Sequence, residues 1–131
     1  RESMPRRRDP HPTRDEVDAT RKAVAELYAS CRTITKEFVE DGVVSGFRDI
    51  PMNVWYNALS SICALAMRMP SIQGDERLQE AIVYQVMLMI ISRDLPVSDD
   101  VRSVVLSVYE RVAPTAIDIL IPGDGVGCGC C

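Results

Sequence analysis

Few side chains in this sequence are able to do chemistry, and their surroundings decide how far each can be taken. His11 is the only histidine, and it stands between Pro10 and Pro12. A cysteine or serine nucleophile needs a base held at hydrogen-bond distance, and a proline-flanked arm with nothing apolar to anchor it does not hold an imidazole in place. The carboxylate pairs Asp15–Glu16, Glu40–Asp41 and Asp99–Asp100 fall at expected helix ends. Capping and dipole compensation account for residues of this type in such places. Gly123-Asp124-Gly125-Val126-Gly127 has the glycines of a phosphate loop, but no helix follows whose N–H groups would cradle an anion. The expectation is a non-enzymatic protein with no catalytic residues and no cofactor.

The five cysteines divide into two kinds. Cys31 and Cys63 fall on apolar helix faces and read as small core residues in a reducing, intracellular compartment: cytoplasm, nucleus or the membrane periphery. Cys128, Cys130 and Cys131 follow three glycines as C-x-C-C. Three thiolates can ligate a soft ion such as Zn²⁺ or Cu⁺, although the usual fourth ligand has no second cluster to come from, so no metal site is assigned. The same tail resembles the terminal di-cysteine ends of Rab-type GTPases, which implies lipid attachment; S-acylation asks less of the surrounding sequence than prenylation does. A modified peptide core behind a helical leader and a plain flexible tail are the other two readings.

Charge separates an arm from a body. Residues 1–14 carry five arginines against Glu2 and Asp9, a net +3, which leaves −7 on the remainder of a chain whose total is −4. The Arg6-Arg7-Arg8 run could meet phosphate or an import receptor, yet three arginines neutralise too few phosphates for tight binding. The body repels nucleic acid and anionic membranes, so those contacts fall to the arm. Arg1-Glu2-Ser3 reads as a remnant of expression ahead of a natural start at Met4.

Composition and periodicity describe what must position any site. Hydrophobic residues at 47% and charged residues at 26% are the balance of a globular domain. Aromatics at 5% point to an aliphatic core and against stacking platforms for single-stranded nucleic acid. The longest apolar run, Ile82 to Ile91, is interrupted by Gln85 and is far short of the ~20 residues of a membrane span.

The fold class expected is all-α: a compact four- to five-helix bundle over residues 13–121, with a basic Pro/Arg-rich arm at 1–12, a Gly/Cys-rich tail at 122–131, and both arms disordered. Thr13 and Glu16 form a capping box opening a first helix. Val17, Val24, Leu27, Cys31, Ile34 and Phe38 continue it as a coiled-coil-like seam to Asp41, ended by Gly42. That seam packs within the chain or in a homodimer. Pro51 starts a second helix bearing Met52, Trp55, Leu59, Ile62, Ala66 and Met69, apolar on its flanks as well and therefore central. Asp75 caps a third helix reaching Ile91 or Arg93. Its last turns are so apolar that they lie either in the middle of the bundle or in an exposed Met-rich patch. Ser98 caps a fourth, with a stripe of Val101, Val104, Val105, Val108 and Val112, closed by Pro114; residues 115–121 add a further turn or an extended segment.

Leu27-Tyr28, Thr33-Ile34 and Phe38-Val39 resemble the first helix of apoptosis regulators of the B-cell-lymphoma type, and Phe47-Arg48-Asp49 with Asn53 is similar to part of their later signature. The Asn-Trp-Gly-Arg centre of that signature is absent and the likeness spans a small part of the chain, so it assigns no family. The functional expectation is a helical protein–protein interaction module, an adaptor or a viral or regulatory accessory protein. Its partner would enter a groove or seam at the apolar residues surplus to a four-helix core: Val43, Val44, Phe47, Met87 and Met89. The alternatives are a peripheral membrane protein lipidated on its terminal cysteines and a nucleic-acid-associated protein led by the arginine arm.

Overall fold

The computed structural model describes residues 14–121. Five α-helices follow one another: α1 (Arg14–Ser30), α2 (Arg32–Ser45), α3 (Met52–Arg68), α4 (Glu76–Met89) and α5 (Asp99–Leu120). A 3-10 turn at Pro70–Ile72 leads into α4, and a π-helical turn at Ile90–Asp94 leaves it. Among the described residues there is no strand, and the chain is an all-α helical bundle. α3 is central, as its apolar flanks require, and packs on each of the other four helices.

The first expected helix is two. Cys31 sits at φ −97°, ψ 19°, and its N–H donates to the Tyr28 carbonyl at 3.1 Å, tightening the turn before the helix resumes. Local sequence favours a break there. The Ser30 hydroxyl donates back to the Glu26 carbonyl at 3.1 Å, a bond that bends helices, and the β-branched run Thr33-Ile34-Thr35 is a weak helix former. The break lets α1 pack chiefly on α4 while α2 packs on α3. Leu27, Cys31 and Phe38 of the expected seam are buried, so the seam faces this chain's own core.

Gly42 does not end α2; it lies inside the helix, and the chain turns at Gly46, which adopts φ 77°. The Gly46 N–H donates to Val43 O at 3.2 Å and the Phe47 N–H to Gly42 O at 2.9 Å, the two bonds of a Schellman terminus. Phe47 itself is held at φ 66° and buried, 7% exposed, with its ring folded back on Gly42. A Cβ on Gly42 would lie 2.7 Å from Phe47 Cδ1, with the next ring carbon nearer still. The glycine is there for close approach. Gly42→Ala gains about 1 kcal/mol of helix propensity, but the collision costs roughly 1–3 kcal/mol. The expected outcome in urea denaturation is net destabilisation that disappears in a Phe47→Ala background.

The core is less aliphatic than composition suggests. Phe38, Trp55, Tyr109 and Tyr84, from four different helices, form one row, with ring centroids 5.3, 5.8 and 5.1 Å apart in that order. The Tyr109 hydroxyl ends the row by donating to the Tyr84 carbonyl at 2.8 Å.

Both caps expected of the later helices are made: Asp75 Oδ1 accepts from the Leu78 N–H at 3.1 Å, and Ser98 Oγ from the Val101 N–H at 3.3 Å. The apolar end of α4 and the π-helical turn lie in the middle of the bundle. Val86, Met87, Ile90 and Ile91 are fully buried and Met89 is half-buried, so the Met-rich patch does not exist. Of the valines expected to form the buried stripe of α5, Val105 is buried and Val101, Val104, Val108 and Val112 are half-buried; Tyr109, Ala113, Ala116 and Ile117 complete the inward row. Nor does Pro114 close the helix. It occupies the solvent side of α5, where the carbonyl it leaves unpaired meets water, and burial of Ala116, Ile117 and Ile121 carries the helix past it.

Candidate functional site

The residues singled out as surplus to the core divide sharply once placed. Val43 is 58% and Val44 88% exposed, both on the last turn of α2. Phe47 and Met87 are corrections. Phe47 is consumed by the Gly42 contact and Met87 is fully buried among core residues, so neither offers a surface to a partner. Met89 is half-buried and packed on the core. Met52 was expected on a buried face and is 55% exposed. It is the first residue of α3, and the described residues leave it uncovered.

These residues gather at one place. The short connection 46–51 joins α2 to α3, so Val43, Val44 and Met52 all stand at the same end of the α2–α3 hairpin. Running down the hairpin from there is a shallow groove. Ile34, Glu37, Phe38 and Asp41 line it from α2, and Val54, Asn57, Ala58 and Ser61 from α3. Phe38, Val54 and Ala58 form its buried floor, and Ile34 is half-exposed. Glu37 and Asp41 are exposed carboxylates with no ion-pair partner among the described residues. No protein-family model, curated protein or solved structure matches the chain. The arrangement therefore has to be read from its own chemistry.

The one described place where a thiol and a carboxylate influence each other is Cys63 with Glu80, and the thiol there is tuned away from nucleophilic attack. Burial, with a smaller push from Glu80, raises the Cys63 thiol to about 12; burial alone raises Cys31 to about 11. Burial and then the neighbouring Asp118 raise the Glu80 carboxyl. Reactive thiols need a lowered pKa. Peptide mapping after iodoacetamide treatment of the native protein at pH 8 should find Cys31 and Cys63 unlabelled, with both labelled once urea unfolds the chain. The same shifts set an alkaline limit. A thiol whose folded pKa lies above the unfolded value contributes fully to stability below about pH 9, and that contribution drains away as pH rises toward 11–12. Each thiol should cost on the order of 1 kcal/mol per pH unit in that window, and Cys63→Ala should flatten the fall.

Among the described residues no group of three His, Cys, Asp or Glu side chains is placed to hold a metal ion, and no helix is long and apolar enough to cross a membrane. The candidates Arg6, Arg7, Arg8, Cys128, Cys130 and Cys131 lie outside the described residues, as does the Thr13 cap.

Proposed function

We propose that this chain is a non-enzymatic helical protein-interaction module that receives a partner protein at the α2–α3 hairpin. The observation that supports this most is the pairing of a bare apolar tip (Val43, Val44 and Met52) with the groove leading away from it. Val44, at 88% exposure, does almost nothing for the fold, and an exposed apolar cluster at a groove mouth is the usual anatomy of a helix-in-groove contact.

Val44→Lys separates binding from folding. The substitution places a charge where a partner's apolar anchor would sit, while surface changes of this kind shift stability by only about 0.5 kcal/mol. In chemical crosslinking followed by affinity purification, the partner recovered with the wild-type chain should be lost by at least about tenfold, a loss of roughly 1.4 kcal/mol or more. The far-UV circular dichroism and melting curve should not change. Equal recovery by Val44→Lys and Met52→Lys variants would move the contact elsewhere on the molecule.

A further inference from the structure

Resting on that reading, we infer that the occupant of the α2–α3 groove is a basic amphipathic helix of another protein. Three observations carry the inference. The first is the charge of the groove: both ionisable residues lining it, Glu37 and Asp41, are carboxylates, and neither has a cation beside it among the described residues. The second is that stability alone disfavours them. They stand at i and i+4 on one helix face, where like charges repel. A cationic neighbour would relieve that penalty. The third is shape. Ile34, Glu37, Asp41 and Val44 continue one row along α2, a rise of roughly 15 Å, which about ten residues of a partner helix would match. Ala58 on the floor and Ser61 on the facing wall are small enough to let that helix approach closely.

The same charges argue against a second copy of this chain. A two-fold contact presents the same patch from both sides, so Glu37 and Asp41 would face their own counterparts, on a body that carries −7 beyond residue 14. A partner helix with apolar anchors three and four residues apart and Lys or Arg along its flanks satisfies groove, tip and carboxylates together.

The test is a display selection of amphipathic helical peptides, with randomised flanking positions, against the full chain. Enriched peptides should carry Lys and Arg beside Leu, Ile, Met or Phe anchors, and their amide-shift footprint on the protein should cover residues 34–44 and 54–61. Affinity should fall at least about tenfold for the Glu37→Lys/Asp41→Lys double variant, fall with added salt, and return when the peptide's cations are exchanged for Glu. Enrichment of neutral or acidic peptides would overturn the inference. So would binding indifferent to the double variant, or a dimer in sedimentation velocity that the double variant alters. If Val44→Lys still abolishes capture of the native partner while the selection yields no basic peptide, the docking site stands and only the basic occupant falls.

Discussion

Trp55→Ala should bring the chain to the edge of unfolding. Trp55 is 1% exposed, the middle of the aromatic row between Phe38 and Tyr109, on the helix that touches every other. Truncating a buried tryptophan to alanine costs about 3–5 kcal/mol, a large share of the roughly 5–15 kcal/mol that a domain has. The control is Trp55→Phe. The indole Nε1 is buried with no hydrogen-bond partner among the described residues, and an unsatisfied buried donor costs about 1–3 kcal/mol. Phenylalanine keeps most of the ring and removes that penalty, so its net effect should stay within about 1.5 kcal/mol of zero. Trp55 is the only tryptophan, so the comparison has to be read by circular dichroism in urea rather than by emission. A Phe variant as damaged as the Ala variant would mean that the indole N–H has a partner after all, such as an ordered water.

How much of this was legible beforehand depends on how far apart in the chain the cause and the consequence lie. The caps at Asp75 and Ser98, the punctuation at Pro51 and Pro70 and the centrality of α3 are written within a few residues of where they act. Gly42 and Gly46 are both helix-ending glycines by local rule; only the position of the Phe47 ring tells them apart. Pro114 breaks a helix unless its ring faces water and something beyond it is buried, and the burial of Ile117 and Ile121 is decided by other helices. The valines of α5 look the better stripe by local pattern, although it is Tyr109 that reaches across to the Tyr84 carbonyl.

The candidate site follows the same division. Val43 and Val44 read as apolar residues of a connection after Gly42, and the structure instead carries them, exposed, on the last turn of α2. Phe47 and Met87 look equally surplus in one dimension, yet each is absorbed by a partner distant from it or by a fold-back that periodicity does not encode. Met52 shows the converse, since an apolar pattern does not by itself bury the first residue of a helix. The acidic wall was visible only as scattered carboxylates. Glu37 and Asp41 become one feature when α3 is laid against α2.

Arg102→Met should be the other severe substitution, for a reason that no helical wheel shows. Its guanidinium fills the end of α4 and the loop that follows: Nε donates to Ile91 O at 3.3 Å, and one terminal nitrogen donates to Leu95 O at 3.0 Å and Val97 O at 3.3 Å. The other terminal nitrogen meets Asp99 Oδ1 at 3.0 Å. A π-helical turn leaves carbonyls unpaired at its C-terminal side, and here a charged donor from α5 takes them. Each such bond is worth about 1.5–3 kcal/mol, and the bonds of one group are not additive. Methionine, which keeps the stem and loses the donors, should therefore cost about 2–4 kcal/mol. Asp99 is fully exposed, so Asp99→Asn should lie near neutral; that contrast assigns the effect to the carbonyls rather than to the ion pair. Lysine should rescue little, because one ammonium cannot span three carbonyls held by a planar fork. Hydrogen exchange provides the local reading. The Arg102→Met variant should lose protection first at residues 90–98, and with it the anchor that the Tyr28 hydroxyl makes by donating to Asp94 Oδ2 at 2.7 Å. Loss of protection spread evenly over all five helices would mean that Arg102 contributes to the bundle as a whole and does not fasten this junction.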